Sequence, residues 1–119
     1  MSYNSIALAK SKKYAIKIIR LYSFLANNRE YVMSKQILRS GTSIGANITE
    51  GIYAQSKPDF ISKMSIALKE AAETDYWLDL LKETDYISYQ QYDELHNDCL
   101  ELIRILTATI NTVKGNRSK

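Results

Sequence analysis

Apolar residues recur at steps of three and four along almost the whole chain, the spacing that places them on one side of an α-helix. In the first segment this stripe consists of Ala15, Ile18, Tyr22 and Leu25, together with Ile19 and Ala26. Three later segments repeat the pattern, with turn-forming residues between them. The pattern predicts four helices, over about residues 6–26, 31–55, 58–85 and 89–114.

The expected ends of these helices carry residues that suit helix termini. Ser56 with Asp59 three residues later, and Ser88 with Gln91, have the form of capping boxes. Gly115 supplies a C-terminal stop. Because the helices are long and the connections between them are short, the sequence predicts an all-α fold, an antiparallel up-down-up-down four-helix bundle.

Three of the four glycines lie in the segment SGTSIGANITEG, residues 40–51. A phosphate-binding loop needs four residues between its glycines and then Lys-Ser/Thr, whereas three residues separate Gly41 from Gly45. The helical stripe also continues through the segment, so a neighbouring helix is expected to approach its side-chain-poor face closely. The positions expected in this packing are Gly41, Ile44, Gly45, Asn47, Ile48 and Gly51.

Asn47 lies on the apolar side of this helix, so its amide needs hydrogen-bond partners wherever it is buried. Acids or serines on a neighbouring helix are the expected partners. Contact with a ligand is the alternative interpretation.

The size of the chain fits one domain over residues 1–119, since 119 residues with 45% apolar content can bury a single core. The longest stretch without a charge is the ten residues from Ser40 to Thr49, far short of a membrane span. Cys99 is the single cysteine, which agrees with a reducing compartment. These observations predict a cytoplasmic protein that does not enter a membrane.

Residue types that carry out catalysis or bind metals are scarce. His96 is the single histidine, and a zinc site needs four ligands, for which Cys99 is the nearest further candidate. Asp93 and His96 resemble half of a di-iron motif, but such a site needs two copies, each with its own histidine. The sequence therefore predicts a protein that is not an enzyme and that has no metal site and no cofactor.

The third helix carries a second apolar patch opposite its main stripe, formed by Ile66, Trp77, Leu80 and Leu81. One bundle core cannot bury both faces, so the patch predicts a partner surface. Two glutamates lie within it, and interface carboxylates commonly pair with arginine from across the interface. The expected oligomer interface consists of Arg39, Ile66, Glu70, Glu73 and Trp77, and Arg39 of a neighbouring subunit is one candidate for the pairing.

Charge is divided along the chain. Residues 1–49 hold eight Lys or Arg and one Glu, a net charge of +7, whereas residues 50–104 hold five against twelve acids, a net charge of −7. Such a division steers an anionic partner to one face, or lets the two halves of a bundle attract each other.

Four cations follow one another at steps of three and four on the first helix, with Phe24 at their end. We call this set the basic ridge: Lys10, Lys13, Lys17 and Arg20. The spacing along the ridge is close to that of phosphates along a nucleic-acid strand, although a solvated helix face has the same pattern.

A run of residues in the middle of the chain resembles a known family. The run consists of Tyr31, Gln36, Arg39-Ser40, Ser43-Ile44, Asn47-Ile48, Glu50-Gly51, Phe60, "IALKEAAET" and "YWLDLL". It is similar to the bacterial four-helix-bundle family encoded in intervening sequences of 23S rRNA genes, and the resemblance covers about residues 15–87. Thr49 stands where the family signature commonly has alanine.

The resemblance implies a cytoplasmic protomer that assembles into a homopentameric ring. The family is also similar in fold to the accessory variability protein of diversity-generating retroelements, a basic pentamer that binds nucleic acid and a reverse transcriptase. The partners that follow from this resemblance are a second copy of the chain, RNA or DNA, and a reverse transcriptase or ribosomal partner.

Taken with the basic ridge, these features predict a non-enzymatic, homo-oligomeric adaptor that binds RNA or DNA through the first helix. The alternative is a protein–protein assembly module that binds no nucleic acid. RNA retention at low salt distinguishes the two.

Overall fold

The computed structural model describes residues 3–115 and confirms the all-α, four-helix prediction; this range contains no β-strand. The helices are α1 (Tyr3–Asn27), α2 (Met33–Ile52), α3 (Lys57–Glu83) and α4 (Tyr89–Lys114). The helix α2 begins two residues later and ends three residues earlier than the expected 31–55.

The capping box predicted at α4 is confirmed, and of the one predicted at α3 the structure shows the bond to the Ser56 side chain. Ser56 Oγ accepts a hydrogen bond of 3.2 Å from the backbone N–H of Asp59. At α4, Ser88 Oγ accepts from the Gln91 backbone N–H at 3.1 Å, and Gln91 Oε1 accepts from the Ser88 backbone N–H at 2.8 Å. Gly115 ends α4 with a φ of 80°, a conformation that glycine adopts without steric cost.

The start of α2 depends on a cap that the sequence analysis missed. The carboxylate of Glu30 accepts hydrogen bonds from the backbone N–H groups of Val32, Met33 and Ser34, at 3.1, 3.1 and 2.5 Å. Glu30 is buried and has little contact with water. The three N–H donors and the positive end of the α2 dipole take the place of water around its carboxylate. This cap fixes the first turn and explains why α2 begins at Met33.

Each helix packs against two others: α1 and α3 both contact α2 and α4. Ile18 and Ser11 of α1 lie next to Gly41 and Gly45 of α2, in that order. The fully buried aliphatic side chains at the centre are Ile18, Leu25, Ile37, Ile44, Ile48, Met64, Leu78, Leu81, Leu102 and Leu106.

The buried face of α1 is rotated from the predicted stripe towards α4. Ile19 was expected in the stripe but is 47% exposed, whereas Tyr14 and Leu21 lie in the core. The Tyr14 hydroxyl donates to the backbone carbonyl of Leu95 at 3.1 Å. This bond satisfies the hydroxyl and lets a tyrosine occupy the core, which a pattern of apolar residues does not reveal.

The segment 40–51 is continuous α-helix. A Cβ added at Gly41 would lie 2.8 Å from both Cγ1 and Cγ2 of Ile18 on α1. At Gly45 the nearest atom would be Ser11 Oγ at 3.1 Å, and at Gly51 it would be Met64 Cε on α3 at 2.7 Å. The glycines therefore face two different helices, and the contact at Gly41 meets a branched side chain that is fully buried.

Hydroxyl groups complete the contact between α2 and α3. Ser40 Oγ accepts a hydrogen bond of 2.8 Å from Thr74 Oγ1, and both residues are fully buried. Asn47 differs from the expectation, because its Nδ2 donates to the backbone carbonyl of Ser43 at 2.9 Å within α2. Its amide finds a partner in its own helix because Asn47 is only half-buried and one turn separates the two residues.

None of the four helices in residues 3–115 combines the length and the apolar character that a bilayer-spanning segment needs.

Substituting alanine at Gly41 and at Gly45 tests the packing of α2. Alanine favours a helix over glycine by up to about 1 kcal/mol, whereas overpacking a core costs about 1–3 kcal/mol. We expect Gly41→Ala to lower the free energy of unfolding by about 1–2 kcal/mol, and Gly45→Ala to change it by less than about 0.5 kcal/mol. Urea denaturation measures both values, and equal losses at the two positions would contradict the distinction.

Candidate nucleic-acid interface

The basic ridge lies along the line where α1 meets α4, which we call the α1–α4 seam. Lys10 Nζ is 3.0 Å from Glu101 Oε2. Lys17 Nζ is 2.8 Å from Glu94 Oε2 and 2.7 Å from Asp98 Oδ2. Two of the four ridge cations are therefore paired with carboxylates of α4, so the ridge is not the uniform row of free cations that the sequence suggests.

The bonds to Lys17 favour its charged form. The hydrogen bond to Asp98, followed by the one to Glu94, raises the pKa of Lys17 above its ordinary value. These ion pairs are well exposed, and water screens such pairs strongly. They restrict Lys17 without burying it, so a competing anion still has access to the ammonium group.

Lys13 and Arg20 have a different environment. Both side chains are exposed, and neither has a carboxylate within 4.0 Å among residues 3–115. They stand seven residues apart on α1, which is about 10 Å along the helix axis. These two residues are the ridge cations most available to an external phosphate.

Two hollows lie along the α1–α4 seam. One, of about 220 Å³, lies beside Lys13 and has Tyr14 and Leu102 in its lining. The other, of about 320 Å³, lies at the end of the ridge beside Arg20 and Phe24. The ridge cations thus line the edge of the seam on α1, which we call its lip, and apolar side chains lie below them in the hollows.

The acidic partners on α4 were not singled out from the sequence, although a signal was present. Glu94, Asp98 and Glu101 are spaced by four and three residues, as the ridge cations are. The division into a positive and a negative part of the chain had suggested attraction between two halves of a bundle, and these ion pairs are an instance of it. What the sequence could not supply was the register that places the two rows opposite each other.

The expected oligomer interface contains an ion-pair network within one chain. Arg39 Nη1 is 3.1 Å from Glu70 Oε1 and 3.2 Å from Glu70 Oε2, and Arg39 Nη2 bonds Glu73 Oε2. Trp77 Nε1 donates to the same Glu73 oxygen at 3.1 Å. Within one chain, α2 and α3 thus bring Arg39 to Glu70 and Glu73, and the pairing of Arg39 with a neighbouring subunit stays a prediction.

The second apolar face of α3 is narrower than predicted. Leu81 is fully buried in the core, and Trp77 is half-buried against it. Ile66 remains 36% exposed, and Tyr76 is 56% exposed, with its ring centroid 5.4 Å from that of Trp77. The exposed large apolar side chains of α3 are therefore Ile66 and Tyr76.

His96 and Cys99 are occupied by contacts within the bundle. His96 Nδ1 lies 2.6 Å from Asp75 Oδ1, and its ring stacks on Tyr92 with centroids 4.9 Å apart. Cys99 is fully buried, and burial raises the pKa of its thiol to about 12. Among residues 3–115, no three His, Cys, Asp or Glu side chains are arranged to hold a metal ion.

The Arg39 network gives a pH-dependent contribution to stability. The Trp77 indole N–H, followed by the Arg39 guanidinium, lowers the pKa of Glu73 below its ordinary value. A lowered folded-state pKa means that the stabilisation is present above the ordinary glutamate pKa and is lost as the pH falls through the folded-state value.

We expect Arg39→Met to lower the free energy of unfolding by about 1 kcal/mol or less at neutral pH, since the pair is exposed. This difference from the wild type should shrink as the pH falls below the ordinary glutamate value. Urea denaturation across the acidic range measures it, with Lys69→Met as the control for loss of an exposed cation. A difference that stays constant down to low pH would contradict a role for the Glu73 carboxylate.

Comparison with known proteins places the chain in a family. No curated protein matches it. A crystal structure from Bacteroides thetaiotaomicron, described as a protein of unknown function from the S23 ribosomal protein family, is 52% identical in sequence with a TM-score of 0.91. The match covers 92% of this chain and 99% of that one. A family model for the 23S rRNA-intervening sequence protein matches residues 4–108. The chain therefore belongs to the 23S rRNA-intervening sequence protein family.

Proposed function

We propose that this protein is a non-enzymatic, homo-oligomeric adaptor that binds nucleic acid through the lip of the α1–α4 seam. The observation that carries the proposal is the pair of exposed cations, Lys13 and Arg20, on one side of a seam whose other cations are held in place by α4. Phosphates on these two groups give binding that tolerates any sequence and weakens with salt.

The paired cations modify this binding. A phosphate that approaches Lys10 or Lys17 competes with Glu101, or with Glu94 and Asp98, for the same ammonium group. The carboxylates also repel the phosphate chain at close range. The seam is therefore suited to an anion of high charge density, such as structured RNA, and binds isolated anions weakly.

Family membership supports the choice of RNA as the first probe, because the family is described by an intervening sequence of 23S rRNA. We propose further that the chain is an up-down-up-down bundle and that copies assemble into a pentameric ring, as the family resemblance implies. The opposed order of contacts between successive helices supports this topology. A ring would repeat Lys13 and Arg20 around one surface and multiply the affinity for a polyanion.

A non-enzymatic role is supported by the state of the groups that usually carry out chemistry. The Cys99 thiol is buried and has a raised pKa, and His96 is held by Asp75 and Tyr92. The cytoplasmic location, and a reverse transcriptase or ribosomal partner, stay predictions that follow from the sequence.

A second candidate is a protein–protein assembly module. It is favoured by the carboxylates that face the ridge, which weaken an interaction with nucleic acid, and by exposed apolar residues on two helices. These are Leu8, Ile16 and Ile19 on α1 and Ile66 on α3. If the wild-type protein is oligomeric but retains no RNA at low salt, this candidate replaces the first.

Removal of the two unpaired cations tests the proposed function. We expect Lys13→Ala with Arg20→Ala to abolish most RNA binding at low salt, because these residues supply the uncompensated charge of the seam. The slope of log K against log salt should become shallower by roughly 1.5–2 for each protomer in contact with RNA. Electrophoretic retention gives the affinity, and light scattering with and without RNA gives the molar mass of the complex.

The matched control is Lys35→Ala with Lys69→Ala, which removes the same charge from exposed positions on α2 and α3. This control should retain most of the wild-type affinity. Equal losses in the two double variants would show that net charge, and not the seam, determines binding.

A further inference from the structure

The larger hollow of the α1–α4 seam has features that phosphate binding does not use. Its volume is about 320 Å³, and its floor contains the buried side chains of Leu21 and Leu95. Phe24 forms part of its wall and is 41% exposed. The hollow is therefore an apolar recess with one accessible aromatic ring.

Polar groups stand at the edge of this recess. Arg20, Gln91 and Glu94 all contribute to its lining. Gln91 is held by the capping box of α4, in which its Oε1 accepts from the backbone N–H of Ser88. Its Nε2 has no part in that box and is a donor for a ligand. Glu94 Oε2 pairs with Lys17, which also lines the hollow, so Glu94 Oε1 is the acceptor beside Gln91. The edge thus offers both a donor and an acceptor to a ligand that lies in the recess.

The size of the hollow limits what it can hold. Ligand pockets commonly have volumes of about 300–1,000 Å³, so this one is at the lower end of the range. A flat ring system with hydrogen-bonding groups on its edge fits such a space and such a lining. A nucleobase has these properties, and stacking on an aromatic side chain is the usual way in which proteins hold unpaired bases.

The position of Arg20 connects the hollow to the proposed phosphate contacts. Arg20 and Phe24 are four residues apart, about one helical turn or 6 Å along α1. A phosphate on Arg20 would place the base of the same or the adjacent nucleotide near Phe24. Bases in a duplex are stacked and paired, so only an unpaired nucleotide can insert its base here.

We propose that the hollow beside Phe24 binds one unpaired nucleobase of an RNA whose phosphates lie on Arg20 and Lys13. The inference rests on the proposed function and adds a substrate class to it, RNA with single-stranded segments. Phe24 supplies the stacking surface, Leu21 and Leu95 exclude water from the other side of the base, and Gln91 and Glu94 contact its edge.

Variants of Phe24 test this assignment. Two probes are used, a short unstructured RNA and a duplex of the same length. Loss of one base–aromatic contact weakens binding by about 5- to 150-fold. We expect Phe24→Leu to lower the affinity for the unstructured RNA by a factor in this range and to leave the duplex affinity unchanged. Phe24→Trp should keep the affinity, since tryptophan also stacks.

The matched control is Tyr53→Leu, which removes an aromatic ring that is 82% exposed at the end of α2, away from the seam. It should leave both affinities unchanged. If Phe24→Leu fails to fold, the tryptophan fluorescence of Phe24→Trp supplies an independent test. Binding of unstructured RNA should quench the fluorescence of this variant more than that of the wild type, whose single tryptophan is Trp77.

The outcomes separate this inference from the proposed function. If the wild type binds neither RNA, both fail. If the wild type binds RNA but Phe24→Leu loses no affinity for the unstructured probe, the nucleobase site is wrong and phosphate binding stands. Equal losses for the duplex and the unstructured RNA would also overturn the site, because Phe24 would then act by shaping the ridge.

Discussion

Lys10 and Lys17 reach from α1 to three carboxylates of α4, and these ion pairs determine which cations of the basic ridge remain unpaired. They join the positive and the negative part of the chain, so some of its opposite charges attract each other within the bundle. Lys13 lies between the two paired lysines, and Arg20 lies beyond Lys17. Neither pairs with a carboxylate of the described residues, so both can bind an external anion. The proposed function depends on this difference between cations that are otherwise alike.

The packing of α2 differs from the packing at the α1–α4 seam. Gly41 lets the backbone of α2 approach Ile18, and Ser40 pairs with Thr74, so α2 lies close to both α1 and α3. On its other side, α1 meets α4 through the Tyr14 hydroxyl bond and through long, charged side chains at the surface. Long side chains can join two helices whose backbones lie farther apart than at a glycine contact, as at the α1–α4 seam. The two hollows lie between these helices.

Much of this fold could be predicted from the sequence, because helix period and capping are local properties. The caps at Ser56 and Ser88 are examples. The Glu30 cap was missed because glutamate is not a usual capping residue before the first turn of a helix. Its carboxylate reaches the N–H groups of α2 because the fold buries the side chain against them. The rotation of α1 depends on a bond between Tyr14 and a residue 81 positions away, which no local pattern contains. The same holds for the pairing of Arg39, since its partners lie on another helix.

Neutralising the acidic row of α4 tests the central claim most directly. The measurement is the affinity for structured RNA as a function of salt, for Glu94→Gln with Asp98→Asn and Glu101→Gln. Glu50→Gln with Glu83→Gln and Asp85→Asn is the control, since it makes the same charge change at exposed positions elsewhere. The account predicts tighter binding and a steeper salt dependence for the first variant, because Lys10 and Lys17 would become available to phosphates. Affinity and salt dependence equal to those of the control would contradict it.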